Sequence, residues 1–226
     1  MDKEIWNNWI ERIEWILNIA KRRNWDYSEL RIKEPISEKA FEILEKDLNL
    51  EYPADFKEVL TKYSSGILMD WQIEGEETEG EFREIFGGAG RGYLWDFETL
   101  RDDYKNIQSW ITECFSNPED DYDKIWYNKI PFLDVPNGDV IAFGDKTEKG
   151  NQVVYLSHEG DDFHGQILGD NFIDFINKWT QLGCVGTEDW QFEPFYDYET
   201  KTMLSDKTIL EKWIEWLENN ALQQRL

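Results

Sequence analysis

The spacing of apolar residues along the chain predicts amphipathic helices around a group of short strands. The first of these helices covers residues 6–20. A second begins after Ser37, a good N-cap residue, and a third begins at Pro53. The same three- and four-residue periodicity predicts later helices over residues 100–115, 172–182 and 209–217. The first helix has the longest apolar face, which consists of Trp6, Trp9, Ile10, Ile13, Ile16, Leu17 and Ala20.

The clearest strand signals lie in the middle of the chain. Asn137-Gly138 separates the apolar runs 130–135 and 140–143, and this dipeptide tolerates the positive φ values of a tight hairpin. A third run at 153–156 is rich in residues that favour strands. The pattern also predicts strands at 67–73 and at 82–86.

Together these elements predict an α+β fold, with an antiparallel sheet of about five to six strands flanked by helices. Its apolar face needs cover, and the helix at 172–182, capped by Asp170, is the nearest candidate. A chain of 226 residues can bury one such core as a single domain with helical extensions. We expect an N-terminal helical extension over residues 1–34, the α+β domain over 35–183, and a C-terminal aromatic strap and helix over 184–226.

The aromatic and acidic segment 188–199 allows two interpretations. It is either a strap that packs across the core or an exposed contact surface with anchors such as Trp190 and Phe195. The strap is favoured because so many exposed aromatic side chains would promote aggregation.

Charge narrows the function classes. The chain has 24 basic and 48 acidic residues, a formal net charge of -24. Residues 1–46 hold nine basic and ten acidic residues, which leaves a net charge of -23 on residues 47–226. A phosphate backbone repels such a surface, so nucleic-acid binding is disfavoured, whereas a basic protein would be attracted. Solubility alone remains a second explanation for the acidity.

The cysteines and the N-terminus indicate a cytoplasmic protein. Cys114 and Cys184 are too few to staple a secreted chain of this length, and we expect both to lie in the core. The first 20 residues mix apolar and charged side chains, unlike a signal peptide, and no segment is apolar enough to span a bilayer.

The search for catalytic chemistry gives weak candidates. His158, Asp162 and His164 form the one cluster of metal-type side chains, and they match no zinc signature; a polar turn explains them equally well. The GGAGRG run at 87–92 lacks the Lys-Ser/Thr step of a phosphate loop, so we interpret it as a turn. No nucleophile elbow is present, and acidic pairs are common simply because acids are common. We expect no catalytic residue, metal or cofactor.

Several short motifs, taken in their order, resemble those of the SUKH superfamily over residues 36–182. They are LEYPADFK at 50–57, YSSG at 63–66, IPF at 130–132, VYLSHE at 154–159 and NFIDFI at 171–176. The resemblance implies an α+β fold and, for most bacterial members, an immunity protein that binds and neutralises a cognate toxin domain. Other members act as regulatory scaffolds. The family has no shared catalytic residues.

We therefore expect a cytoplasmic immunity protein that occludes the active cleft of a toxin, most simply a basic nuclease, with an acidic surface. A non-catalytic scaffold with a partner other than a toxin is the alternative. The candidate contacts lie in three acidic loops and on one aromatic residue: Glu74, Glu76, Glu77, Glu79, Asp120, Asp121, Glu159, Asp161, Asp162 and Trp190.

Overall fold

A computed structural model describes residues 1–75, 78, 80–89, 92–160 and 162–223. The helices of this described part cover every helix that the periodicity predicts. They are α1 (Lys3–Arg23), α2 (Glu38–Leu48), α3 (Ala54–Lys62), α4 (Leu100–Glu113), α5 (Asp123–Trp126), α6 (Phe172–Gln181), α7 (Asp189–Phe192) and α8 (Lys207–Gln223).

The strands are short, and they pair antiparallel throughout the described chain. They are β1 (Asp26–Tyr27), β2 (Arg31–Ile32), β3 (Gly66–Leu68), β4 (Trp71–Gln72), β5 (Gly87–Gly88), β6 (Tyr93–Asp96), β7 (Ile130–Asp134), β8 (Val140–Thr147), β9 (Gly150–Leu156), β10 (Ile167–Gly169), β11 (Tyr196–Asp197) and β12 (Thr202–Met203).

The α+β class is confirmed, and the strands divide among small sheets instead of joining in one sheet of five or six. The largest described sheet has the order β10-β9-β8-β7, beside sheets β2-β3-β6, β1-β4-β5 and β11-β12. The run 67–73 breaks at Met69 and Asp70, where Met69 N–H donates to Gly92 O at 2.9 Å and Asp70 N–H donates to Ser28 Oγ at 2.9 Å. Its two halves, β3 and β4, therefore pair in different sheets.

The predicted hairpin joins β7 to β8. Val135 N–H donates to Asp139 O at 2.9 Å, and Gly138 takes the positive φ of 107° that the turn requires. The third predicted strand is β9, which pairs with β8 along most of its length. The central hairpin and its neighbour are thus as predicted.

Both faces of the largest sheet are buried. Ile141, Phe143, Val153 and Tyr155 face the main core, which α1, α3 and α6 also line. The alternate positions face a second, smaller core that α4 and α5 cover, and these are Val140, Ala142, Val154 and Leu156. This alternation is the two-residue period of a strand, with both sets apolar.

The C-terminal part of the chain packs into the main core. Phe192, Phe195 and Tyr196 are buried, which confirms the strap, and Trp213 of α8 has no exposed surface. The strap follows a turn that buried indoles hold, since three N–H groups donate to its carbonyls: Trp213 to Leu182 at 3.0 Å, Trp71 to Gly183 at 2.8 Å and Trp179 to Val185 at 2.7 Å. The division of the chain at residues 34 and 183 stays a prediction.

Two local predictions are wrong. Residues 82–86 form no strand: Gly80–Phe82 is a short 3-10 helix, and Phe82 and Ile85 turn inward while Phe86 faces out. The N-cap of α6 is Asn171 instead of Asp170, because the Asn171 side chain accepts from Asp174 N at 2.9 Å. Asp170 instead pairs with Lys149 at 2.7 Å.

Candidate partner-binding face

A buried carboxylate organises the turn between β7 and β8. Asp139 is 1% exposed and its side chain accepts four hydrogen bonds. Oδ1 accepts from the backbone N–H of His158 at 2.8 Å and lies 2.6 Å from His158 Nδ1. Oδ2 accepts from Tyr155 Oη at 2.6 Å and from Asn137 Nδ2 at 2.8 Å. Four donors offset the cost of burying this group, so the turn and the loop after β9 have one fixed arrangement.

The end of α4 packs against this turn. The Trp110 and His158 rings lie 5.0 Å apart between centroids, and Gly138 is next to both side chains. A cavity of about 340 Å³ opens here between α4 and the turn, with Glu113 and Asp134 among its lining residues. The turn, the loop after β9 and the C-terminal end of α4 therefore form one surface.

Tyr122 joins two of the three acidic loops. Its hydroxyl donates to Ser157 O and accepts from Gly160 N–H at 3.0 Å. Its ring stacks on His164, with centroids 3.9 Å apart. The loop 119–123 and the loop 157–162 are consequently adjacent, although about 35 residues of sequence separate them.

These two loops carry a concentrated negative charge. Residues 113–123 include five acids, residues 157–162 include three, and neither stretch has a Lys or Arg. Asp120, Asp121, Glu159 and Asp162 are exposed, whereas Asp161 lies outside the described residues. Asp120 also accepts from Tyr122 N–H at 2.8 Å, and a hydrogen bond from Lys124 lowers the pKa of Asp121. The exposed acids are thus held on an ordered surface.

The structure describes residues 74, 75, 78, 80 and 81 of the third acidic loop, which covers 74–81. Glu74 is exposed, Glu81 pairs with Lys212 of α8 at 2.9 Å, and Trp190 is half-buried on α7. Three further predicted contacts lie outside the described residues, and these are Glu76, Glu77 and Glu79. Tyr122 therefore joins two of the predicted loops, and the described part of the third contacts α8 through Glu81.

A groove borders this third loop, and sequence reasoning missed it. It has a volume of about 360 Å³ and lies between Ile73, Phe86, Pro136 and Glu188, with Asp70 also at its wall. Phe86 is 56% exposed. The one signal in the sequence was Phe86 next to two glycines, which the wrong strand assignment at 82–86 concealed.

The two histidines bind separate protein groups. His158 is held by Asp139, as described above. His164 Nδ1 accepts from Ser157 N–H at 3.0 Å, so its hydrogen lies on Nε2, 3.2 Å from Tyr122 O. Within the described residues, no three His, Cys, Asp or Glu side chains come together as a metal-binding group.

The prediction that both cysteines are core residues holds for one of them. Cys184 is fully buried, and burial raises the pKa of its thiol. Cys114 is exposed, because it follows the last residue of α4, Glu113, and Phe115 takes the inward position. Burial outweighs the charge of Arg12, which acts on Cys184 in the opposite direction, so this thiol is not activated as a nucleophile.

The molecule is an α+β protein with an ordered acidic face, and the described helices include none with the length and apolar character needed to cross a bilayer. A sequence model of the SMI1 / KNR4 family (SUKH-1) matches residues 35–178. The chain belongs to this family, and the predicted resemblance is confirmed. The family is associated, in general terms, with immunity to toxins. Comparisons with curated proteins and with solved structures gave no match.

Proposed function

We propose that this chain is a cytoplasmic immunity protein that binds a cognate toxin domain and blocks its active cleft. Family membership supports the class of partner, a protein toxin. The observation that carries the proposal is the junction of two acidic loops by Tyr122, which presents several carboxylates on one ordered surface.

The proposed target is a nuclease. An enzyme that cuts nucleic acid needs a basic cleft for the phosphate backbone, and an acidic protein can occupy the same cleft. The net charge of -24 would attract such a toxin from a distance, and the exposed acids at Glu119, Asp121, Glu159 and Asp162 would contact it. Neutralisation of this kind is binding alone and requires no catalytic group on the immunity protein.

The test is to express the domains encoded by the genes on either side of this one and to measure their nuclease activity with and without the purified chain. One molar equivalent of the purified chain should abolish nuclease activity, and the two proteins should elute together as one complex. Full nuclease activity in the presence of excess chain would overturn the proposal. If the chain instead isolates a partner without a toxin domain from its own cells, the scaffold function replaces it.

A further inference from the structure

The backbone that carries the exposed aromatic residue Phe86 is held in place. Phe86 precedes the strand β5, and its carbonyl accepts from Ile73 N–H at 2.8 Å. Gly87 fits only without a side chain, because a Cβ there would lie 2.2 Å from Trp71 O. The backbone on both sides of the ring is therefore constrained, and little order has to be gained when a partner binds.

In the part of the chain that the structure describes, the charged residues that line the groove beside Phe86 are acidic. Among the described residues its lining includes Asp70 and Glu188 and no Lys or Arg. Burial, and then the charge of Asp139, raise the pKa of Glu188. The exposed Glu74 directly follows Ile73 of the lining. A cation entering this groove would meet the negative charge of Asp70 and Glu188.

We propose that this groove, defined by Asp70, Ile73, Phe86, Pro136 and Glu188, receives an arginine side chain of the basic partner protein. The proposal rests on the proposed function and adds a specific anchor to it. A guanidinium can stack on the exposed Phe86 ring while its N–H groups bind the Glu188 or Asp70 carboxylate, and arginine combines these contacts better than lysine. Interfaces concentrate their affinity in such anchors.

The first test measures toxin binding by variants of the groove. F86A and E188Q should each weaken the affinity about tenfold, whereas F86Y should retain it because the ring remains. The matched control is I43A. Ile43 is 48% exposed on α2, so this substitution removes a comparable exposed apolar side chain away from the groove. If both F86A and E188Q bind the toxin with wild-type affinity, the groove does not receive an arginine of the partner. That result would leave the proposed function in place.

A second test does not need the toxin. The probe is the peptide acetyl-Gly-Arg-Gly-amide, titrated into the isotope-labelled full chain and followed by NMR. Saturable shifts should appear at Phe86, Glu188 and Asp70, with an affinity about fivefold lower in F86A. The same peptide with citrulline, the neutral analogue of arginine, should give no saturable shift. Shifts elsewhere only, or equal shifts with citrulline, would overturn the inference even if the chain proves to bind no toxin.

Discussion

Tyr122 stacks on His164 with ring centroids 3.9 Å apart and ring planes inclined by 23°. The hydroxyl of the same tyrosine bonds Ser157 O and Gly160 N. One side chain from the loop before α5 therefore fixes both ends of the acidic loop after β9. The proposed binding face depends on this relationship. Two loops that moved separately would lose conformational entropy on binding, and this loss would weaken the affinity.

Removing the Tyr122 hydroxyl should loosen the acidic loop that follows β9. We expect Y122F to cost about 1–2 kcal/mol in the free energy of unfolding, because two hydrogen bonds are lost while the ring remains. The amide hydrogen of Gly160 should exchange faster with solvent. The control is Y127F, which removes the hydroxyl that donates to Phe115 O at 3.1 Å and should leave Gly160 exchange unchanged. Unaltered exchange in Y122F would show that the loop is ordered by other contacts.

The buried Asp139 should be sensitive to loss of its charge. In D139N an amide NH₂ group replaces one acceptor oxygen and faces a hydrogen-bond donor. We therefore expect the free energy of unfolding, measured by urea denaturation, to fall by about 2–4 kcal/mol. Y155F removes one donor from Asp139 and one acceptor from Asp189 N–H, which lies 3.0 Å from the hydroxyl, and should cost about half as much. Equal stability of D139N and the wild type would contradict the assigned bonds.

The hairpin β11-β12 contains a pH-dependent cap. Hydrogen bonds from Ser205, then from Thr200 and the backbone of Glu199, lower the pKa of Asp197 to about 2. A lowered carboxylate pKa stabilises the folded state above the unfolded pKa, and the contribution is lost as the pH falls through the folded pKa. The stability difference between the wild type and D197N should therefore be constant near neutral pH and shrink between about pH 4 and pH 2. A difference that grows on acidification would contradict this sign.

The two thiols should differ in reactivity. Cys114 is exposed and Cys184 is fully buried with a raised pKa. A disulfide reagent such as DTNB should modify one thiol per native chain quickly at pH 8, and the second only after denaturation. C114S should abolish the fast phase. Rapid reaction of both thiols in the native protein would mean that the turn at 182–185 opens readily.

The sequence predicted what depends on local spacing. The helices α1, α4 and α6 follow from apolar periodicity, and the β7-β8 hairpin follows from Asn137-Gly138, since both depend on neighbours within a few residues. The prediction of a strand at 82–86 was wrong because a short turn places both Phe82 and Ile85 in the core. Tertiary contacts determine this arrangement. The break of 67–73 into β3 and β4 depends on Ser28 and Gly92, which no local pattern indicates.

The candidate site divides in the same way. Negative charge in the loops is readable from sequence, which is why Asp120, Asp121, Glu159 and Asp162 could be named as candidates. Their arrangement was not, because it depends on Tyr122 reaching a loop 38 residues away. Phe86 was missed for a related reason: whether an aromatic side chain faces inward or outward is decided by packing that the sequence pattern leaves open.

The most direct test of the account is the association rate of the chain with its toxin domain at several salt concentrations. The variant E119Q/E159Q/D162N removes three exposed acids from the joined loops, and the control E11Q/E14Q/E42Q removes three exposed acids from α1 and α2. At low salt the first variant should associate about tenfold more slowly than the wild type, with a weaker salt dependence, and the control should stay within about twofold. Equal rates for both variants would contradict a binding face at the loops that Tyr122 joins.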